Sequence, residues 1–149
     1  MTLVLICLLV LSAALFASAI RHVPADQVYS LHRHGKLVRV LHTGTHLVLP
    51  VVDKVAHKIN LAGQTLNFQE PLADAQDVRG TVYWQVLEPE RADEVFAQVD
   101  QMIRRGAQEA LRNEAVSDRR DMGARLKQSL NNALRERGMM VTRVELDVA

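Results

Sequence analysis

An α+β domain behind one apolar helix is the architecture this sequence predicts, and three observations carry it. Residues 1–20, MTLVLICLLVLSAALFASAI, contain no charged side chain. Between residues 25 and 87, short apolar and β-branched runs alternate with turn residues, which is the pattern of strands. From Pro89 to Gly138 the apolar positions recur at helical spacing, and Val141–Val148 then returns to period-two alternation. A strand that follows helices must rejoin a sheet begun earlier. The expected fold is therefore a twisted, largely antiparallel sheet with helices on one face.

The apolar segment comes first. Twenty helical residues at about 1.5 Å each span about 30 Å, the hydrocarbon thickness of a bilayer. Residues 1–20 are accordingly expected to form a transmembrane anchor that Arg21 and His22 end. Ala17-Ser18-Ala19 also fits a signal-peptidase site behind an apolar Leu3–Leu11 stretch, although no basic region precedes it. The alternative reading is a secreted or periplasmic α+β binding module released after Ala19. Nothing basic precedes the segment, while Arg21, Arg33, Lys36 and Arg39 follow it. The positive-inside rule then places the rest of a single-pass cell-membrane protein on the cytoplasmic side.

Removing the segment leaves 129 residues, enough for one domain with one core. Residues 21–60 hold six Lys/Arg against two acids, a charge of +4; residues 61–149 hold twelve against fifteen, a charge of −3. The basic half adjoins the apolar helix, so Arg21, Arg33, Lys36 and Arg39 are candidates for contact with anionic headgroups. The balance is too mild for a nucleic-acid-binding protein. The single cysteine, Cys7, excludes an intrachain disulfide.

The elements follow in order. Val28–Leu31 is a strand, His34-Gly35 a turn, and Leu37–Leu41 a second strand. After the Thr43-Gly44-Thr45 turn, His46–Leu49 extends until Pro50 stops it. Lys54–Leu61 alternates, Thr65–Phe68 is short, and Glu70–Asp77 reads as a polar loop with Asp74 at its centre. Gly80–Leu87 is the strongest strand. Pro89 suits the first turn of a helix over Glu90–Ala97, because its missing N–H has no partner there. Asp100 is placed to cap a second helix carrying Met102, Ile103, Ala107, Ala110 and Leu111, in which Gly106 calls for close packing against the sheet. Ser117 or Asp118 caps a third, with Met122, Leu126, Leu130, Ala133 and Leu134 in one stripe and Gly138 closing it. In the last strand Val141, Arg143, Glu145 and Asp147 alternate with Thr142, Val144, Leu146 and Val148.

The chemistry of catalysis is missing. There is no nucleophile elbow, phosphate-binding glycine loop, C-x-x-C or H-E-x-x-H. Ser30, Ser117 and Ser129 have no base within a recognisable pattern. His32 and His34 could form a metal pair on one strand face, with His57 or His22 as a third ligand. Converging sets of three or four ligands are the requirement, and the sequence favours solvated hairpin histidines. Neither an enzyme nor a cofactor or metal site is expected.

Over residues 24–61, PADQVYSLHRHGKLVRVLHTGTHLVLPVVDKVAHKINL resembles the opening of the band 7 or SPFH domain of stomatins, prohibitins and flotillins. The matching positions are the turn glycine Gly44, His46, Pro50 and Asp53. YWQVLEPERA is similar to the family's strand-to-helix junction, with Glu88-Pro89 in place of Asp-Pro, and VTRVELDVA to the strand that ends the globular domain. The resemblance covers most of residues 23–149. Thr43 stands where the family usually has proline, and ADAQDVRG replaces a longer segment, so one strand around residues 68–82 is expected to be trimmed. The resemblance implies a short form, ending at Ala149 without the Ala/Glu-rich coiled coil with which family members generally continue. It also implies a non-enzymatic membrane scaffold that self-associates, touches the lipid bilayer and organises membrane proteins such as a protease or channel. Gly44, His46, Pro50, Asp53 and Pro89 enter that reading as structural residues.

Overall fold

The computed structural model describes residues 1–71, 76–112 and 119–148. The chain divides into two compact units, Met1–Ile59 and Asn60–Ala149.

The first unit opens with α1, Thr2–Ser18, which has no buried residue. Among the described residues no helix is long and apolar enough to cross a membrane. The twenty-residue anchor is thus corrected. α1 has 17 residues, about 25 Å at 1.5 Å per residue, against a hydrocarbon core of about 30 Å. The helix stops early because Ile20, apolar though it is, joins a strand instead. β1 (Ile20–Val23) pairs antiparallel with β4 (Gly44–Leu47), Ile20 opposite Leu47. The Val48 N–H continues this contact by donating to the Ala19 carbonyl at 2.7 Å.

β2 (Gln27–Arg33) and β3 (Lys36–Leu41) form a hairpin closed at Arg33 opposite Lys36. Its two loop residues, His34 and Gly35, both have positive φ (55° and 78°), the geometry that matches strand twist in two-residue turns. β5 (Lys54–Asn60) lies on the other side of β2, giving the order β3-β2-β5. Val23, Tyr29, Leu31, Leu41 and Val48 make the core of this unit, with Val55 against them.

The second unit is a three-stranded sheet, β6 (Gln64–Pro71), β7 (Asp77–Val86) and β8 (Met139–Val148), with β7 in the middle and both pairings antiparallel. The expected loop over Glu70–Asp77 is narrowed at both ends, because β6 and β7 stay in register through Pro71 opposite Asp77, and residues 72–75 lie outside the described residues. Asp74 lies outside the described residues. Val78, Val82, Trp84 and Val86 of β7 are buried on one face. α3 (Val99–Leu111) and α4 (Arg119–Arg135) pack against β6 and β8 respectively, and against each other. Each helix carries a buried stripe, Ile103, Ala107 and Leu111 on α3 and Met122, Leu126, Leu130 and Leu134 on α4.

Several local expectations change. The helix over Glu90–Ala97 is a single α-turn, α2 (Pro89–Ala92), followed by a 3-10 turn over Asp93–Gln98. Asp100 sits in the first turn of α3 and does not cap it; the cap position is Gln98, with no side-chain cap bond. Ser117 and Asp118 lie outside the described residues. Ala133 is exposed, since the stripe runs at 122, 126, 130 and 134. Gly106 is explained by α4, not by the sheet: a Cβ there would lie 2.6 Å from Leu130 Cδ2.

β8 holds the largest departure. A bulge shifts its pairing, with Tyr83 opposite Arg143 but Trp84 opposite Val141. Thr142 is the extra residue, and its hydroxyl donates to the Tyr83 carbonyl at 3.1 Å. The shift puts Val141 on the face of Val144 and Leu146, where strict alternation had it with Arg143. Asn131 of α4 meets the bulge. Its Oδ1 accepts from the Val141 N–H (2.7 Å) and its Nδ2 donates to the Val141 carbonyl (3.2 Å).

Candidate functional site

The residues of the 44–53 motif lie on β4 and in the turn that follows it. Gly44 has φ 133°, a value that side chains disfavour. His46 on β4 turns back to the chain before it. Its Nε2 lies 2.7 Å from the His42 carbonyl; a carbonyl only accepts, so Nε2 carries the proton. Pro50 sits in a turn, Leu49–Asp53, closed by the Asp53 N–H donating to the Leu49 carbonyl at 3.0 Å.

Asp53 is the only carboxylate between Asp26 and Glu70. Its Oδ1 accepts from Arg33 Nε at 2.8 Å, and its side chain is 8% exposed. The Arg33 hydrogen bond, opposed by burial and reinforced by charge attraction, holds the Asp53 carboxyl below the usual carboxylate range. The same bond raises Arg33 above its ordinary value. Pro89, the remaining motif position, is buried at the first turn of α2 in the second unit.

The four basic candidates divide into two kinds. Arg33 is committed to Asp53, and Arg39 Nη2 donates to the Leu47 carbonyl at 2.8 Å. Arg21 on β1 and Lys36 at the hairpin are exposed. Sequence reasoning missed the apolar residues beside them. Leu47 (62% exposed), Leu49 (54%) and Val51 (88%) project from β4 and the turn after it, and Val38 and Val52 are also exposed. The sequence predicts a strand over His46–Leu49, which would hide every second residue. In fact β4 ends at Leu47 and only Val48 of residues 47–52 is buried. Pro50 marks the strand's end in the sequence, but nothing there shows that Leu49, Val51 and Val52 stay uncovered beyond it.

His32 and His57 face each other edge to plane, ring centroids 5.8 Å apart. His34 is in the exposed hairpin turn, and His22 Nδ1 lies 3.4 Å from Thr45 Oγ1. Of the possible ligands His32, His34, His57 and His22, the structure brings His32 and His57 together and leaves His34 in the turn. Ser30 is fully buried and accepts from the His57 N–H at 3.1 Å; Ser129 is on the exposed side of α4, and Ser117 is outside the described residues.

A sheet-and-helix domain whose N-terminal part carries Gly44 and His46 on a strand and Pro50 and Asp53 in the turn after it, behind an apolar helix, defines a domain class, and comparison with known proteins names it. The family model described as SPFH domain / Band 7 family matches residues 21–148, and the chain belongs to that family. It is 30% identical over 117 residues to an uncharacterized protein of Schizosaccharomyces pombe, covering 75% of this chain and 33% of the relative. It is 24% identical over 117 residues to the human (Homo sapiens) protein named stomatin-like protein 2, mitochondrial, with the same coverage. The rat (Rattus norvegicus) protein of that name is 24% identical over 119 residues, 76% of this chain and 34% of the relative. The chain thus spans about a third of the length of these relatives.

Proposed function

We propose that this chain is a non-enzymatic scaffold attached to the cytoplasmic leaflet of the cell membrane, where it self-associates and organises neighbouring membrane proteins. The observation that carries the reading is α1: 17 residues, no charge, no buried side chain. An unpartnered apolar surface of that extent is costly in water and is removed by lipid. Its length suits embedding of the helix without requiring a full crossing. The exposed Leu47, Leu49 and Val51 add a second apolar contact in the same unit, and Arg21 and Lys36 supply charge that suits an anionic leaflet. Membership of the SPFH / Band 7 family supports the scaffold part of the reading.

The test is fractionation of the full chain with N-terminal sequencing. The expected result is a product that begins at or near Met1, pellets with membranes, resists alkaline carbonate and is released by detergent. Leu8→Lys together with Leu11→Lys is expected to move it to the soluble fraction. A soluble product that starts at Ile20 would replace this reading with the released binding module.

A further inference from the structure

The first unit contains an open apolar cavity of about 790 Å³ between the C-terminal half of α1 and the Leu47–Asp53 segment. Leu15 and Phe16 of α1 form one wall; Val38, Leu47 and Leu49 form the others. Among the described residues its charged lining groups are Arg33, Asp53 and Arg39. Arg33 and Asp53 are bound to each other and cancel, so the cavity keeps one net positive charge, that of Arg39. Arg39 gives one N–H to the Leu47 carbonyl. A guanidinium has five, so donors remain for an anion.

Apolar walls of this size with a single cation select a particular chemistry: a flexible hydrocarbon chain carrying an anionic head. Because α1 forms a wall and is apolar along its length, a chain can pass from lipid into the cavity without crossing a polar surface. We propose that this cavity takes one acyl chain of an anionic phospholipid from the bilayer, with the headgroup phosphate against Arg39. The proposal rests on the membrane reading above and adds a specific lipid site to it. Zwitterionic lipid offers the same chain but a compensated head, and so binds there less well.

The experiment uses the full chain in phosphatidylcholine vesicles that contain about one phosphatidylglycerol in five lipids. Either lipid carries a photoreactive diazirine at the end of one acyl chain, and adducts are mapped by peptide mass spectrometry. With the phosphatidylglycerol probe, labelling of residues 47–53 is expected to exceed that with the phosphatidylcholine probe by about fivefold, the preference one basic group confers. Arg39→Gln is expected to abolish the difference, and Arg39→Lys to keep it. Leu47→Trp fills the cavity without altering charge, and is expected to suppress labelling of the segment by both probes while the protein still floats with the vesicles. Equal labelling of residues 47–53 by the two probes, or adducts confined to α1, would overturn the lipid site and leave the membrane reading intact. Failure of the wild-type chain to float with the vesicles would sink the membrane reading, and the site with it.

Discussion

Asp53 shows what a single residue of the 44–53 motif does. It ties the Leu49–Asp53 turn to β2 through Arg33, and the pairing neutralises the one carboxylate between Asp26 and Glu70. Its carboxyl is held below the usual carboxylate range, so the pair contributes stability in full above about pH 4, the ordinary aspartate value. That contribution declines as pH falls further and is lost once pH passes the lowered value. Thermal unfolding of the wild type and Asp53→Asn across pH is the check. The gap in Tm between them is expected to be constant above about pH 5 and to close in acid. A gap that widens in acid would assign the stabilisation to another group. Asn131 offers a second residue-scale test. Without its amide, the N–H and carbonyl of Val141 lose their side-chain partner at the bulge, so Asn131→Ala is expected to cost about 1–3 kcal/mol in urea unfolding. Exposed Asn132→Ala is expected to stay within about 0.5 kcal/mol. The sequence placed Asn131 off the apolar stripe of α4, which is correct. It held no sign that the amide would meet a strand, because that strand's register depends on a bulge.

At the scale of elements, periodicity located the strands and helices but not their ends or their faces. β2, β3, β5 and β7 emerge within a few residues of the patterns that predict them, because alternation and flanking turn residues agree there. β8 is different. Its expected alternation fails at Thr142, where one extra residue moves Val141 to the buried face, and a bulge leaves no mark in a ten-residue pattern. Gly106 was legible as a close contact, but the partner was not. Propensity says only that a glycine in a helix costs about 1 kcal/mol, and the partner is Leu130 of α4. The contact predicts a reversal of sign. In the wild-type background Gly106→Ala crowds Leu130, and the cost of overpacking, about 1–3 kcal/mol, outweighs the gain in helix propensity. A net destabilisation of about 1 kcal/mol is expected. With Leu130→Ala already present the clash is gone, and the same change is expected to stabilise by up to about 1 kcal/mol. A double-mutant cycle in urea measures both, and additivity of the two changes would show that the helices do not meet at this point.

For the whole molecule, charge and hydropathy are distributed in a way that composition alone made visible. The uncharged helix and the +4 of residues 21–60 belong to the first unit, and the −3 of residues 61–149 belongs to the second. What composition could not show is how the basic residues are used. Arg33 is bound to Asp53 and Arg39 faces the cavity, which leaves exposed Arg21 and Lys36 as the candidates for headgroups of the surrounding leaflet. Charge attraction to an anionic surface extends over a Debye length of about 10 Å at 0.1 M salt and about 3 Å at 1 M, whereas burial of apolar surface does not weaken with salt. Binding of the full chain to phosphatidylcholine vesicles is therefore expected to change little with salt. On vesicles containing phosphatidylglycerol it is expected to be tighter at low salt and to approach the phosphatidylcholine value near 1 M. Reversing both charges, Arg21→Glu with Lys36→Glu, is expected to remove most of that salt-sensitive gain and to leave the salt-insensitive part, because α1 is unchanged. If the reversal leaves the salt-sensitive gain intact, the headgroup contacts lie elsewhere. If it abolishes binding to both kinds of vesicle, charge and not the apolar helix holds this protein to lipid.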